Sequence, residues 1–275
     1  MEDSQTSGRI TVVSAQEAYG LIARERDAFQ ALYPQASITV RPGSSREAVR
    51  SLFAAECDLA VITRELTQEE REAAVRGRLA LEGYRFARDA LLAVVHESNP
   101  VENMSVPQLR AVYAGEAGAW PALAGGSGPI HPVLQPVASD VTEFFVEQVM
   151  GGEPIRARVY TEDSDSGVVA RVKRDPAAIG YVTLAAAERG AKVLSLASLT
   201  GLPYRKPDLE AVYRGEYPMT RFFNLYERTS GPRLAAGFIT FVTSRDGQEL
   251  VRERGLVPTT VPVRFVRRSP MLGSH

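Results

Sequence analysis

The chain has 275 residues, of which 44% are hydrophobic and 24% charged, a globular composition that excludes a disordered or fibrous class. Its 32 lysines and arginines nearly balance 33 aspartates and glutamates, so the basic excess that a nucleic-acid or anionic-membrane surface needs is absent. One cysteine, Cys57, excludes an intramolecular disulfide and a cysteine-based metal cluster, and no apolar stretch approaches the roughly 20 residues of a membrane span.

The opening MEDSQTSGR is polar and acidic and lacks the apolar core of a secretion signal. RITVVSA (9–15) predicts a buried strand running into QEAYGLIARERDAFQALYP, which has helical spacing and stops before Pro34. ASITVRPG is a second strand closed by Pro42-Gly43, and SSREAVRSLFAAE is a helix capped by Ser44 or Ser45. CDLAVITREL is a third strand, in which Cys57 reads as a small buried residue and Asp58 as a turn or cap residue. This β-α-β-α-β order implies a parallel sheet with crossover helices, whose ligands bind at the carboxyl ends of the strands, where Ser14, Ser44, Ser45 and Arg64 stand.

LTQEEREAAVRGR is a helix with one solvated, charged face. RDALLAVVHESNP is a long strand with Asp89 at its start, and SVPQLRAVYAGE a short helix with a serine cap. A loop around Trp120 leads to strand IHPVLQPV, helix TEFFVEQVMG, the segment DSDSGVVARVKRDP and strand AIGYVTL. Trp120 and Tyr113 read as packing residues. The tail holds YPMTRFFNLYE, RLAAGFITFVTSRDGQELVRERG and a polar, extended ending. Strands 89–96 and 221–226 are candidate crossovers between two lobes, which places 8–91 with 221–265 in one discontinuous lobe, 92–220 in the other, and 1–7 and 266–275 in flexible termini.

In their order and spacing, PGSSREAVRSLFAAECDLAVITREL, RDALLAVVHESNP, VYAGEAGAWPALAGG, DPAAIGYV, YPMTRFF and FITFVTSRDGQELVRERGLVP resemble the phosphate-binding receptors of ABC-type phosphate uptake systems. The likeness runs from about Gly8 to Pro258 and implies an α/β, two-lobed type II periplasmic binding protein fold, each lobe a mixed, mostly parallel sheet flanked by helices, joined by two crossover strands. It implies an anion held between the lobes by N–H groups and hydroxyls at helix N-termini. The positions that match are Ser14 and Ala15 after the first strand, Ser44 and Ser45, Arg64 after the third strand, and a turn at Gln135, Ser139, Asp140 and Val141.

That turn departs from the family pattern. Gln135 stands where the family has arginine, Asp140 replaces glycine and Val141 replaces threonine; Val13 and Ser45 also occupy positions where glycine is usual. Losing an arginine removes a charge-assisted contact of about 1.5–3 kcal/mol. A carboxylate ~5 Å from phosphate adds repulsion of several kcal/mol at an effective dielectric of ~20. Arg64, or Arg46 at the start of its helix, could replace the missing cation. The bland alternative at 139–143 is a plain cap, with Ser139 or Asp140 accepting from the first turn and Asp140 with Glu143 approximating a capping box. Ser44 and Ser45 have the same alternative, and Arg64 could form a structural ion pair with Glu65 or Asp89.

His96, His131 and His275 are scattered, and neither a nucleophile elbow nor a phosphate-binding Gly-Lys-Ser/Thr loop occurs. The expectation is therefore a non-enzymatic solute-binding protein without catalytic residues, metal or cofactor, capturing phosphate or a related oxyanion for the membrane subunits of an ABC transporter, as a monomer and without nucleic acid. It belongs in the periplasm or at the cell surface if a signal has been removed, and in the cytoplasm if Met1 is native. The alternatives are the same fold diverged to another small solute, or a binding-deficient relative acting as a sensor or adaptor.

Overall fold

The computed structural model describes residues 4–123 and 125–259, with 187–189 as backbone only. The expected polar ending lies outside the described residues from 260 onward. Residues 4–7, which the sequence places in a flexible terminus, form a turn with Ser4 N–H donating to Ser7 O at 3.1 Å. That turn lies against Gly237, where a Cβ atom would come within 1.8 Å of Gln5 O, so only glycine fits there.

The first lobe opens with β1 (Gly8–Ala15), α1 (Gln16–Leu32), β2 (Ala36–Gly43), α2 (Ser45–Phe53), β3 (Leu59–Ile62) and α3 (Gln68–Arg76). β1 is parallel to β2 on one side and β3 on the other, with Gly8 opposite Ala36 and Val12 opposite Leu59. Parallel neighbours require crossovers over the sheet faces, and α1 and α2 supply them. The side-chain period of two then sorts the strand residues. Ile10, Val12, Leu59 and Val61 pack with α1, whereas Val13, Ala60 and Ile62 pack with Ala48, Val49 and Leu52 of α2. Each such fully buried aliphatic side chain contributes about 1.5–3 kcal/mol. Asp58, read from sequence as a turn or cap residue, instead ties the start of β3 to β1: its carboxylate accepts from Thr11 N–H at 2.8 Å.

β4 (Leu81–Val95) spans both lobes. At about 3.3 Å per residue its 15 residues extend roughly 50 Å. It begins earlier than Asp89, the start read from the sequence. Residues 81–85 are partly exposed, so they lack the continuous apolar run that marks 90–95. The first half of β4 pairs with β11, described below, and the second half pairs antiparallel with β8.

The second lobe contains β5 (Asn103–Ser105), α4 (Val106–Tyr113), β6 (His131–Leu134), α5 (Asp140–Gln148), β7 (Tyr160–Thr161), α6 (Asp165–Val172), β8 (Ala178–Thr183), β9 (Lys192–Val193), β10 (Ser195–Ala197) and α7 (Leu209–Arg214). β6, β7 and β8 run parallel, and β5 pairs with β10 as a separate ribbon. Tyr113, Phe145 and Tyr181 form the aromatic centre of this lobe, with Phe145 stacked on Tyr181 at 4.2 Å between centroids. Trp120 is buried in the same cluster, which matches its reading as a packing residue.

The chain returns through β11 (Thr220–Arg228), α8 (Arg233–Val242), α9 (Arg245–Glu253) and β12 (Val257–Pro258). β11 is antiparallel to both β3 and β4 and lies wholly on the first lobe, so the second passage between lobes falls just before it, where Leu91 N–H donates to Met219 O at 2.9 Å.

Candidate functional site

The carboxyl ends of β1 and β3 and the N-termini of α2 and α5 meet at the junction of the lobes. At α2, Pro42-Gly43 ends the strand and Ser44 caps the helix. The Ser44 hydroxyl accepts from Glu47 N–H at 3.2 Å, while Glu47 Oε2 accepts from Ser44 N–H at 2.8 Å. Ser44 is thereby committed to holding the helix. The next residue, Ser45, is fully buried and turns its donors across the junction. Its N–H donates to the Asp140 carboxylate at 2.9 Å to Oδ2 and 3.2 Å to Oδ1, and its hydroxyl donates to Oδ2 at 2.7 Å. Thr63, just beyond β3, donates its N–H to Ser45 Oγ at 3.1 Å.

Asp140 therefore does not cap its own helix. Ser139 does, accepting from Thr142 N–H at 3.2 Å, and no capping box with Glu143 forms because Glu143 lies one residue too far along. The start of α5 is fixed further by the Thr142 hydroxyl, which donates to Gln135 O at 3.0 Å and meets Tyr181 Oη at 2.8 Å. With the cap supplied by its neighbour, the Asp140 side chain is free to face α2. The orphan N–H groups and the positive end of the α2 dipole offset the cost of burying its charge.

Beneath this contact lies a buried ion pair. Arg221, at the start of β11, donates from Nε at 3.0 Å and Nη2 at 2.8 Å to Asp89 Oδ2 on the neighbouring strand. Burial opposes the Arg221 cation, but the surrounding carboxyl groups, Asp89 foremost and then Glu17 and Asp140, together outweigh it and hold the guanidinium charged. Asp89 Oδ1 also accepts from Leu184 N–H at 3.2 Å. Asp165, first residue of α6, accepts from Thr183 N–H at 3.3 Å, from the Thr183 hydroxyl at 2.5 Å and from Gln135 Nε2 at 2.7 Å. Burial pushes Asp165 above the usual carboxylate range, against the Thr183 hydrogen bonds. Glu17, in the first turn of α1, is raised by burial too; Arg221 opposes that rise, and Asp140 and Asp89 add to it. Its Oε2 is buried without a hydrogen-bond partner. Three helix starts at this junction, those of α1, α5 and α6, thus bring their own carboxyl groups.

Of the residues anticipated from sequence, Ser45, Asp140 and Gln135 are brought into this cluster. Ser14 is buried, with its hydroxyl donating to Ala15 O at 3.1 Å, and Ala15 precedes α1 without a side-chain cap. Val141 packs into the core of the second lobe, so its side chain is unavailable to a solute. Arg64 forms an ion pair with neither of the acids anticipated for it. Its two terminal nitrogens donate to Glu70 at 2.7 and 2.8 Å, and one of them also reaches Glu65 O at 3.0 Å. Glu65 instead accepts from Arg85, and Asp89 belongs to Arg221. Arg46 reaches across to Glu143 at 3.3 Å. These groups border an open cavity of about 950 Å³ lined by Arg46, Arg64, Thr67, Glu70 and Glu143.

Arg221, Thr63 and Glu17 are missing from the sequence candidates. The available signal for Arg221 was a lone arginine in the apolar run MTRFF, which demands an acidic partner or an anion. Among the described residues no group of three or more histidine, cysteine or carboxylate side chains has a metal-holding arrangement.

The sequence profile described as the PBP superfamily domain matches residues 2–246. The chain belongs to the PBP superfamily. Among relatives of this superfamily member, the phosphate-binding protein PstS of Bacillus subtilis is 27% identical over 260 residues, covering 94% of this chain and 83% of that protein. The phosphate-binding protein PstS of Pseudomonas aeruginosa (strain PAO1) is 23% identical, covering 94% and 86%. The crystal structure of an ABC-type phosphate transport receptor from Vibrio cholerae superposes with a TM-score of 0.81 at 20% identity, covering 90% of this chain and 99% of that one. The fold is the two-lobed type II arrangement expected of the superfamily, with α2 and α5 facing each other across the interlobe cleft.

Proposed function

We propose that the protein is the solute receptor of an ABC-type importer and closes on phosphate or a related small oxyanion between its lobes. Support comes from relatives named as phosphate-binding proteins over nearly the whole chain. One geometric observation carries the reading. The α2 N-terminus, with the Ser45 N–H and hydroxyl turned into the cleft, forms an oxyanion cradle, and it already holds a carboxylate. Ser45, with Ser14, Ala15 and the first N–H groups of α5, is assigned to the solute, while Ser44, Ser139 and Arg64 serve the scaffold.

In this reading residues 8–91 with 221–259 move as one lobe and 92–220 as the other, hinged near Asp89–Leu91 and Met219–Arg221; 260–265, which the sequence reading adds to the first lobe, lie outside the described residues. The protein acts outside the cytoplasmic membrane as a monomer, delivering solute to membrane subunits without turnover. A second reading, the same fold tuned to another small solute, is favoured by Gln135 and Asp140, which place an amide and an acid where an arginine and a glycine would serve a dianion better.

Calorimetry and thermal shift against phosphate, sulfate and arsenate test the proposal. Solute at 100 times its dissociation constant should stabilise the fold by about 2.7 kcal/mol. The absence of a shift with any oxyanion at millimolar concentration would sink the reading. A steep gain in phosphate affinity for the single variant Gln135→Arg, which leaves Asp140 in place, would favour the second reading.

A further inference from the structure

We propose that Asp140 is a resident anion, a tethered carboxylate that occupies the α2 N-terminus, latches the two lobes together without solute and must be displaced before an oxyanion can bind. The inference rests on the receptor reading only for the identity of the displacing solute. The latch itself rests on geometry.

Asp140 belongs to α5 of the second lobe, and its partner Ser45 to α2 of the first, 95 residues away in the chain. The carboxylate is almost wholly buried and takes three hydrogen bonds from one residue. Charge-assisted hydrogen bonds of this kind are about twice as strong as neutral ones, and a helix N-terminus is where an external anion would itself be held. The same pair of helices carries a second link outside the first, Arg46 to Glu143. An incoming oxyanion thus meets an occupied cradle. Glu17 stands near Asp140 with one buried oxygen unpartnered, so a free anion placed beside Asp140 would face both carboxyl groups. Binding at the Ser45 N–H and hydroxyl therefore requires Asp140 to swing away.

The test places spin labels on opposite sides of the cleft through Glu69→Cys on α3 and Glu147→Cys on α5, both exposed. Cys57 is buried, and burial pushes its thiol up to about 11, so it stays unlabelled. In anion-free buffer the labelled parent should give one narrow distance distribution. Adding Asp140→Ala should lengthen and broaden it, and Ser45→Ala, which leaves the carboxylate in place but removes its shortest donor, should do so to a smaller degree. Distributions for both variants that coincide with the parent's would overturn the proposal. If Asp140→Ala does not fold, Ser45→Ala alone decides it, a longer or broader distance supporting the latch and an unchanged one overturning it.

Calorimetry with inorganic phosphate on the same proteins adds the displacement half. Asp140→Ala should bind about tenfold more tightly or better, equivalent to about 1.4 kcal/mol. Equal affinity in parent and variant would overturn displacement. If neither takes phosphate, the choice of phosphate as solute falls, and the distances still decide the latch.

Discussion

Arg221 and Asp89 sit opposite each other on β11 and β4, both side chains almost completely shielded from water. Taking two charges out of water costs several kcal/mol each, and their mutual attraction offsets this only while both are present. Phe223 and Phe144 flank the guanidinium, at 5.3 and 5.7 Å from ring centre to the cation, so no water can replace a lost partner at low cost. Arg221→Met should therefore cost about 3–5 kcal/mol, and Asp89→Leu should cost a similar amount. Combining both should recover most of the loss, because no buried charge is left alone. Urea unfolding of the three variants measures this, and additive losses in the double variant would contradict it. The pair also shows a limit of reading one chain. A lone arginine in an apolar strand signals a partner, but nothing local says which of several acids it is.

At the scale of elements, the hydroxyl caps of α2, α4 and α5 were legible. Ser44, Ser105 and Ser139 stood among the cap candidates and each accepts from a backbone N–H three residues on. Ser164 does the same at α6, and so does Thr67 at α3, which was not singled out. Such a contact lies within one turn, so residue type and spacing suffice to locate it. At α2 the sequence left Ser44 and Ser45 as equal candidates, and the fold divides the labour between them. Ser44 holds the helix and Ser45 faces the cleft. Ser44→Ala should accordingly cost about 1 kcal/mol of stability and leave the interlobe distance unchanged. Thermal unfolding beside the spin-label measurement checks both halves, and a changed distance would show that the two roles are not separable. The extent of β4 was less legible. Its first half is paired on one side by β11 and only partly shielded, so its alternating pattern lacks the uninterrupted apolar run of its second half.

For the whole molecule, two hydrophobic cores meet along β4, one built around Phe29, Phe86 and Phe238 and the other around Tyr113, Phe145 and Tyr181. The first contains an ionisable group that the cleft does not use. Glu25 of α1 is fully buried with both carboxyl oxygens unpartnered, and burial pushes its carboxyl up to about 9, with Arg24 opposing. The folded protein thus keeps a proton that the unfolded chain releases near pH 4.5. Its contribution to stability is full below that value and is lost as pH rises towards about 9, with a slope of up to about 1.4 kcal/mol per pH unit. The half-buried acids Glu17 and Asp165, also raised, act in the same direction. Glu25→Gln should flatten the decline between about pH 5 and 9 and stabilise the protein at the alkaline end. Urea midpoints across that range provide the measurement, and equal slopes for both proteins would refute the assignment.

The sequence by itself determined the order of strands and helices, the buried strands of the first lobe and the superfamily resemblance. These depend on contacts within a few residues or on patterns of period two and 3.6 that any chain displays locally. It also marked Gln135 and Asp140 as departures, without showing what replaced the missing cradle. Only the tertiary structure decided that Asp140 answers Ser45 across 95 residues, that Arg221 answers Asp89 across 132, and that Arg64 is bound to Glu70. The first two partnerships arise where the chain closes on itself. Their geometry depends on how two lobes and one long strand pack, which no local spacing encodes.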